Sequence, residues 1–125
     1  MRAKVYIAGP YSKGDKEVNV HEAIRVANVL ADLGFAPYVP HLTHYWDLRH
    51  ERPYEFWLQL DNEFLRCCDV LLRIPGESSG ADKEVAPAEE LGVLVFTGIQ
   101  ELVDWVTARE SVYRVARAAQ GGFGP

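Results

Sequence analysis

Two carboxylic acids and two polar loops hold the side chains best suited to chemistry. Asp61 follows the apolar run Phe56-Trp57-Leu58-Gln59-Leu60, and Glu84 falls in the first turns of a helix opened by Ser78-Ser79-Gly80. Two carboxylates facing one pocket suit glycosidic chemistry, in which one attacks the anomeric carbon and the other manages the proton. The ordinary alternative for Glu84 is a solvated acid near a helix N-terminus. Asp61 lies nearer the buried stripe of its helix than a random surface acid does. The unpaired amides that follow Ser78-Ser79-Gly80 can hold an anion. Gly9-Pro10-Tyr11-Ser12-Lys13-Gly14 supplies a close backbone approach, a phenol, a hydroxyl and an ammonium group, suited to sugar or phosphate. Its glycine spacing fits neither a Walker loop nor a dinucleotide fingerprint.

A third polar segment carries His41, His44, Tyr45, Trp46, Asp47 and His50. His41-x-x-His44-x-x-Asp47 invites a metal reading, but no Glu follows the first His as in a zinc protease, and the spacing is irregular for a structural site. A lid that stacks a nucleobase on Trp46 or Tyr45 while a histidine contacts its edge fits better, with ordinary packing or a subunit interface as alternatives. No metal is assigned. Cys67 and Cys68 are adjacent, so they neither staple a loop nor form a spaced metal framework. Trp57 and Trp105 sit at helical spacings and read as core.

The elements that must hold these groups alternate strand with helix. Lys4 to Ala8 is a compact apolar run closed by Gly9-Pro10, as in a strand buried on both faces. From Lys16 to Leu33, Val20, Ala23, Ile24, Ala27, Leu30 and Ala31 recur at helical spacing, and Gly34 stops the helix. Phe35 to Val39 predicts a second strand, followed by a long loop from Pro40 through Pro53. Phe56, Leu60, Phe64 and Cys67 mark a helix, and Asp69 to Ile74 a third strand, with Asp69 fixing its entrance. A helix from Ala81 to Leu91 follows, with Ser79 as cap and Asp82 completing a capping box. Val93 to Phe96 predicts a fourth strand, and Ile99, Leu102, Val103 and Val106 a last helix. The expected fold is one flavodoxin-like (Rossmann-like) α/β domain over residues 1–110. Its parallel sheet of four strands, with room for a fifth, runs in the order 2-1-3-4 under helices on both faces, and ligand binds beyond the carboxyl ends of the strands. Residues 111–125 form an extension whose glycine-rich end, Gly121 to Pro125, is expected to be mobile.

With 125 residues there is room for one domain and none for a separate cofactor domain. Hydrophobic residues make up 48% and charged residues 25%, which excludes a disordered chain. The net charge of -5 disfavours a nucleic acid polymer or an anionic membrane as partner, leaving a small molecule. No apolar run is long enough to span a bilayer, and the N-terminus lacks the longer apolar core of a secretory signal, so a cytoplasmic protein is expected. A four-strand sheet leaves edges to cover, which predicts a homodimer or larger homo-oligomer.

The order Tyr6-Ile-Ala-Gly9, Asp61, Asp69-Val-Leu-Leu, Ser78-Ser-Gly80-Ala-Asp-Lys-Glu84 and Leu91-Gly-Val-Leu-Val-Phe96 resembles the nucleoside 2-deoxyribosyltransferase superfamily. The order is also similar to that of the related 2'-deoxynucleoside 5'-monophosphate N-glycosidases. Within the superfamily, the segment Pro75 to Glu84 most resembles a group of small uncharacterised proteins. The resemblance implies that Glu84 attacks C1' and forms a covalent deoxyribosyl intermediate. It also implies that Asp61 holds the substrate and assists protonation of the leaving base, and that Tyr6 orients the nucleophile. Gly9 would let ligand lie against the first loop, where Pro10, Tyr11 and Ser12 also stand as substrate contacts. Ser78 and Gly80 fall where the monophosphate hydrolases hold phosphate. Those hydrolases place a hydroxyl residue and an arginine where this chain has Pro10 and Ser12. The expectation is therefore cleavage or transfer at the N-glycosidic bond of a nucleoside or nucleotide, with no cofactor. A 5'-monophosphate N-hydrolase and a non-catalytic nucleotide-binding module are the alternatives.

Overall fold

The computed structural model describes residues 2–119. Strand β1 (Lys4–Ala8) is followed by α1 (Lys16–Asp32), β2 (Ala36–Tyr38), a 3-10 turn (Pro40–Leu42), α2 (Thr43–Arg49) and α3 (Tyr54–Leu65). Then come β3 (Val70–Arg73), α4 (Ser79–Glu90), β4 (Leu94–Phe96) and α5 (Ile99–Ala119). The four strands form one sheet in the order β2-β1-β3-β4, and every pairing is parallel. This is the expected α/β architecture, with four strands among the described residues. Helix α5 continues past residue 110, and the glycine-rich end predicted to be mobile lies outside the described residues. Among the described residues no helix is long and apolar enough to cross a membrane.

The alternation of β1 sorts the core into two layers. Val5 and Ile7 join Val70 and Leu72 in a cluster with Ala23, Val26 and Leu30 of α1 and Leu102 of α5. Tyr6 and Ala8 point the other way and pack with Leu71, Leu65 of α3, and Ala81 and Ala88 of α4. The odd positions of β1 thus build the side covered by α1 and α5. The even positions put the Tyr6 phenol beneath α4. The β1–β3 register pairs Tyr6 with Leu71 and Ala8 with Arg73. The Asp69 carboxylate, as expected, fixes the entrance of β3 by accepting from the Lys4 amide at 2.8 Å.

The structure corrects several local expectations. Pro40 to Pro53 is largely helical, because the buried positions there are Pro40, His41 and His44, so a helical period is carried by imidazoles instead of aliphatic side chains. In α1 the buried positions are Val20, Ala23, Val26 and Leu30, while Ile24 is exposed. The cap of α4 is Ser78, not Ser79: Ser78 has extended backbone and its Oγ accepts from the Ala81 amide at 3.0 Å, so the helix begins at Ser79. In α3 the buried residue is Leu65, and Phe64 lies exposed against the ring of Tyr38.

Candidate active site

The first and third loops meet at the carboxyl ends of β1 and β3. A Cβ added to Gly9 would lie 2.2 Å from Ile74 Cγ1, so only glycine lets the chain leave β1 this close to β3. Gly76, at φ +123°, brings the third loop against Pro10, where a Cβ would meet the ring at 2.5 Å. Above this junction opens a cavity of about 610 Å³, walled by the first loop, the 3-10 turn, α2, α3 and the N-terminal half of α4. That volume is of the size that encloses a small organic ligand.

Asp61, near the end of α3, and Glu84, in the second turn of α4, both line the cavity. Glu84 is only 8% exposed, and its Oε1 accepts from the Tyr6 hydroxyl at 3.0 Å. Tyr6 is fully buried in the sheet face below, so it reaches the site through Glu84 and does not line the cavity. Burial, reinforced by the Glu84 and Asp61 charges, drives the Tyr6 phenol far above its ordinary range, which keeps it a neutral donor. Burial also raises Asp61 to about 7. Burial, and then the Asp61 charge, raise Glu84 to about 8, against the opposing pull of the Tyr6 hydrogen bond and the Arg73 charge. The two acids therefore titrate as a coupled pair near neutral pH. A proton on Asp61, whose Oδ1 is buried without a protein partner, removes one of the causes that raise Glu84, and the phenol donor and the guanidinium field then favour the Glu84 anion.

The opposite wall is built from the histidine segment. Burial holds the His41 imidazole below its ordinary range, and as a neutral ring its Nε2 donates to the carbonyls of Gly9 at 3.2 Å and Pro10 at 3.1 Å. His44 Nδ1 lies 2.7 Å from the Tyr11 hydroxyl and its Nε2 2.8 Å from Glu17 Oε1. The Asp47 carboxylate accepts from the Arg52 amide at 3.0 Å and the Trp57 indole at 2.9 Å, and both bonds hold it below the usual carboxylate range. His41, His44 and Asp47 are thus each engaged by separate partners.

Of the residues expected at the site, Glu84, Asp61, Gly9, Tyr11, Ser12, His41, His44, Ser78 and Gly80 line the cavity together. Pro10 packs on Gly76 instead, and Trp46 is exposed and packed edge-on against Phe56 and Trp57. Ser78 Oγ is already engaged in capping α4. Trp57, expected in the core, is a cavity wall, and Trp105 does pack on the core beside Phe96. Tyr54, Leu58 and Lys83 also line the cavity and had no signal beyond their places on α3 and α4.

No curated protein sequence matches this chain. Among solved structures, a 2-deoxyribosyltransferase from the psychrotolerant bacterium Bacillus psychrosaccharolyticus superposes with a TM-score of 0.58 at 24% identity, over 74% of this chain and 69% of that one. A 2-desoxiribosyltransferase from Leishmania mexicana gives a TM-score of 0.56 at 19% identity over 76% of this chain, which spans 63% of the Leishmania protein. At such identities the likeness is one of fold. The family described as "Domain of unknown function (DUF7768)" matches residues 3–97. With most of its length so matched, the chain belongs to that family and carries a nucleoside 2-deoxyribosyltransferase-like fold.

Proposed function

We propose that the chain cleaves or transfers the N-glycosidic bond of a deoxyribonucleoside, with Glu84 as nucleophile, Asp61 as acid and Tyr6 as the residue that positions Glu84. The observation that carries this reading is the Tyr6–Glu84 hydrogen bond at 3.0 Å beside a second raised carboxyl group in one cavity. Tyr6 occupies Oε1, which leaves Oε2 to attack C1'. As the Glu84–C1' bond forms, the C1'–N bond breaks, its electron pair leaves with the base, and the Asp61 proton moves to a base nitrogen. In the second step water or a second base attacks C1', gives its proton back to Asp61 and releases Glu84. A hydrolase and a transferase differ only in which of these the cavity admits. The 2-deoxyribosyltransferases of like fold support the deoxyribosyl assignment.

The charges around the cavity support an uncharged nucleoside over its monophosphate. Lys13 and Lys83 line it together with Asp47, Asp61, Glu77 and Glu84, and Lys13 is paired with Glu77 at 3.6 Å. Incubation with deoxynucleosides and their 5'-monophosphates, with and without an acceptor base, tests the reading by the base released. Release from nucleosides, lost in Glu84→Gln, is expected. A rise in melting temperature with nucleotides but no turnover would instead make the chain a binding module. We also expect self-association through the exposed apolar surface of Leu42, Tyr45, Trp46 and Leu48 near the cavity.

A further inference from the structure

The mechanism above leaves unused a chain of three groups running from the surface of α1 to the opposite cavity wall. Glu17, 53% exposed, lies 2.8 Å from Nε2 of His44, whose side chain is only 7% exposed, and Nδ1 of the same ring lies 2.7 Å from the Tyr11 hydroxyl. An ionised carboxylate only accepts, so the Glu17 contact requires a proton on His44 Nε2. In the neutral ring that leaves Nδ1 as the acceptor and the Tyr11 phenol as its donor. Burial, with Asp47 and Glu17 nearby, raises the phenol above its ordinary range, so it keeps its proton. The backbone of this loop is also held, because Asn19 Nδ2 donates to the carbonyls of Tyr11 and Lys13, each at 2.8 Å.

We infer that Glu17 and His44 form a positioning relay that turns the Tyr11 proton away from the cavity, so that the phenolic oxygen meets the ligand as a hydrogen-bond acceptor. The ligand must then offer an O–H or N–H donor at that point, either a sugar hydroxyl or an exocyclic amine of the base. A carboxylate behind an imidazole fixes ring tautomer and orientation in the same way in hydrolytic triads. The relay stands on the geometry of three side chains. The ligand assigned to it rests on the N-glycosidic reading above.

Two measurements on the full chain test it. In ¹⁵N-histidine-labelled protein without ligand, the His44 signals should show Nε2 protonated and Nδ1 bare, and Tyr11→Phe should shift the Nδ1 resonance. Glu17→Leu should mix the tautomers, and Glu17→Gln, whose amide oxygen still accepts, should restore the native pattern. A proton on Nδ1, or an Nδ1 resonance indifferent to Tyr11→Phe, overturns the relay. The second measurement is the Kd for deoxynucleosides lacking the 3'-hydroxyl, the 5'-hydroxyl or the base amine. One of these losses should weaken binding about ten-fold in the native protein and have almost no effect in Tyr11→Phe. Equal losses in both proteins overturn the acceptor role. If no deoxynucleoside binds or is cleaved, the N-glycosidic reading and the ligand assigned here both fall, while the tautomer still decides the relay.

Discussion

At the scale of single residues, two coupled acids set the character of the cavity. In the proposed mechanism the reactive form, with Asp61 protonated and Glu84 ionised, is most populated between the two titrations, which centre on about 7 and about 8. The rate of base release should be bell-shaped in pH around this interval. Stability carries the same signature with a definite sign. Both groups hold protons in the folded state well above 3.8 and 4.5, where these acids ordinarily lose them. Folded protein therefore binds more protons than unfolded protein across that window, and stability falls as pH rises from about 4 toward 8, then levels off. Urea melts at several pH values should show this slope, and Asp61→Asn or Glu84→Gln should flatten it. Glu84→Gln should also lower base release by at least about a thousand-fold, since it removes the nucleophile. Glu84 and Asp61 were legible as cavity candidates from the Ser78-Ser79-Gly80 helix start and the apolar run before Asp61, whereas Tyr6 came only with the family resemblance. Glu17 was not, because an acid on a helix reads as solvated and its partner His44 lies 27 residues away. Trp57 was misread because helical spacing shows that a ring faces inward, but not whether it meets a core or a cavity.

At the scale of elements, the proposed nucleophile depends on how α4 starts. Ser78 Oγ satisfies the Ala81 amide, and Ala81 packs on Ala8 and Tyr6 beneath the site. Ser78→Ala should cost about 1 kcal/mol in urea unfolding. It should also reduce turnover, because Glu84 sits in the second turn of the same helix. Gly9 is a harder constraint: Gly9→Ala drives a methyl into Ile74 and should destabilise by about 1–3 kcal/mol, read as a fall in melting temperature. The strands and long helices were readable from the sequence because they carry compact apolar runs, apolar residues at helical spacing or, in α4, a polar helix start. The 3-10 turn and α2 were not, since their buried face consists of a proline and two histidines. Their stability comes from contacts with the first loop, such as His41 to the Gly9 and Pro10 carbonyls, which no local pattern encodes.

At the scale of the molecule, sheet order and the place of the cavity were both readable, because parallel strands joined by helices leave few arrangements and open a cavity beyond the strand ends. The proposed self-association rests on a small sheet with short edge strands and an exposed aromatic face beside the cavity. Light scattering should report at least a dimer, and a strict monomer across the working concentration range would contradict that expectation. The proposed mechanism requires Glu84 to bond to the sugar, and intact-protein and peptide mass spectrometry after brief mixing with a deoxynucleoside and acid quenching would detect that bond. One added deoxyribosyl group, mapped to Glu84 and absent in Glu84→Gln, is expected. Base release without any adduct on Glu84, or an adduct that survives in Glu84→Gln, would contradict it.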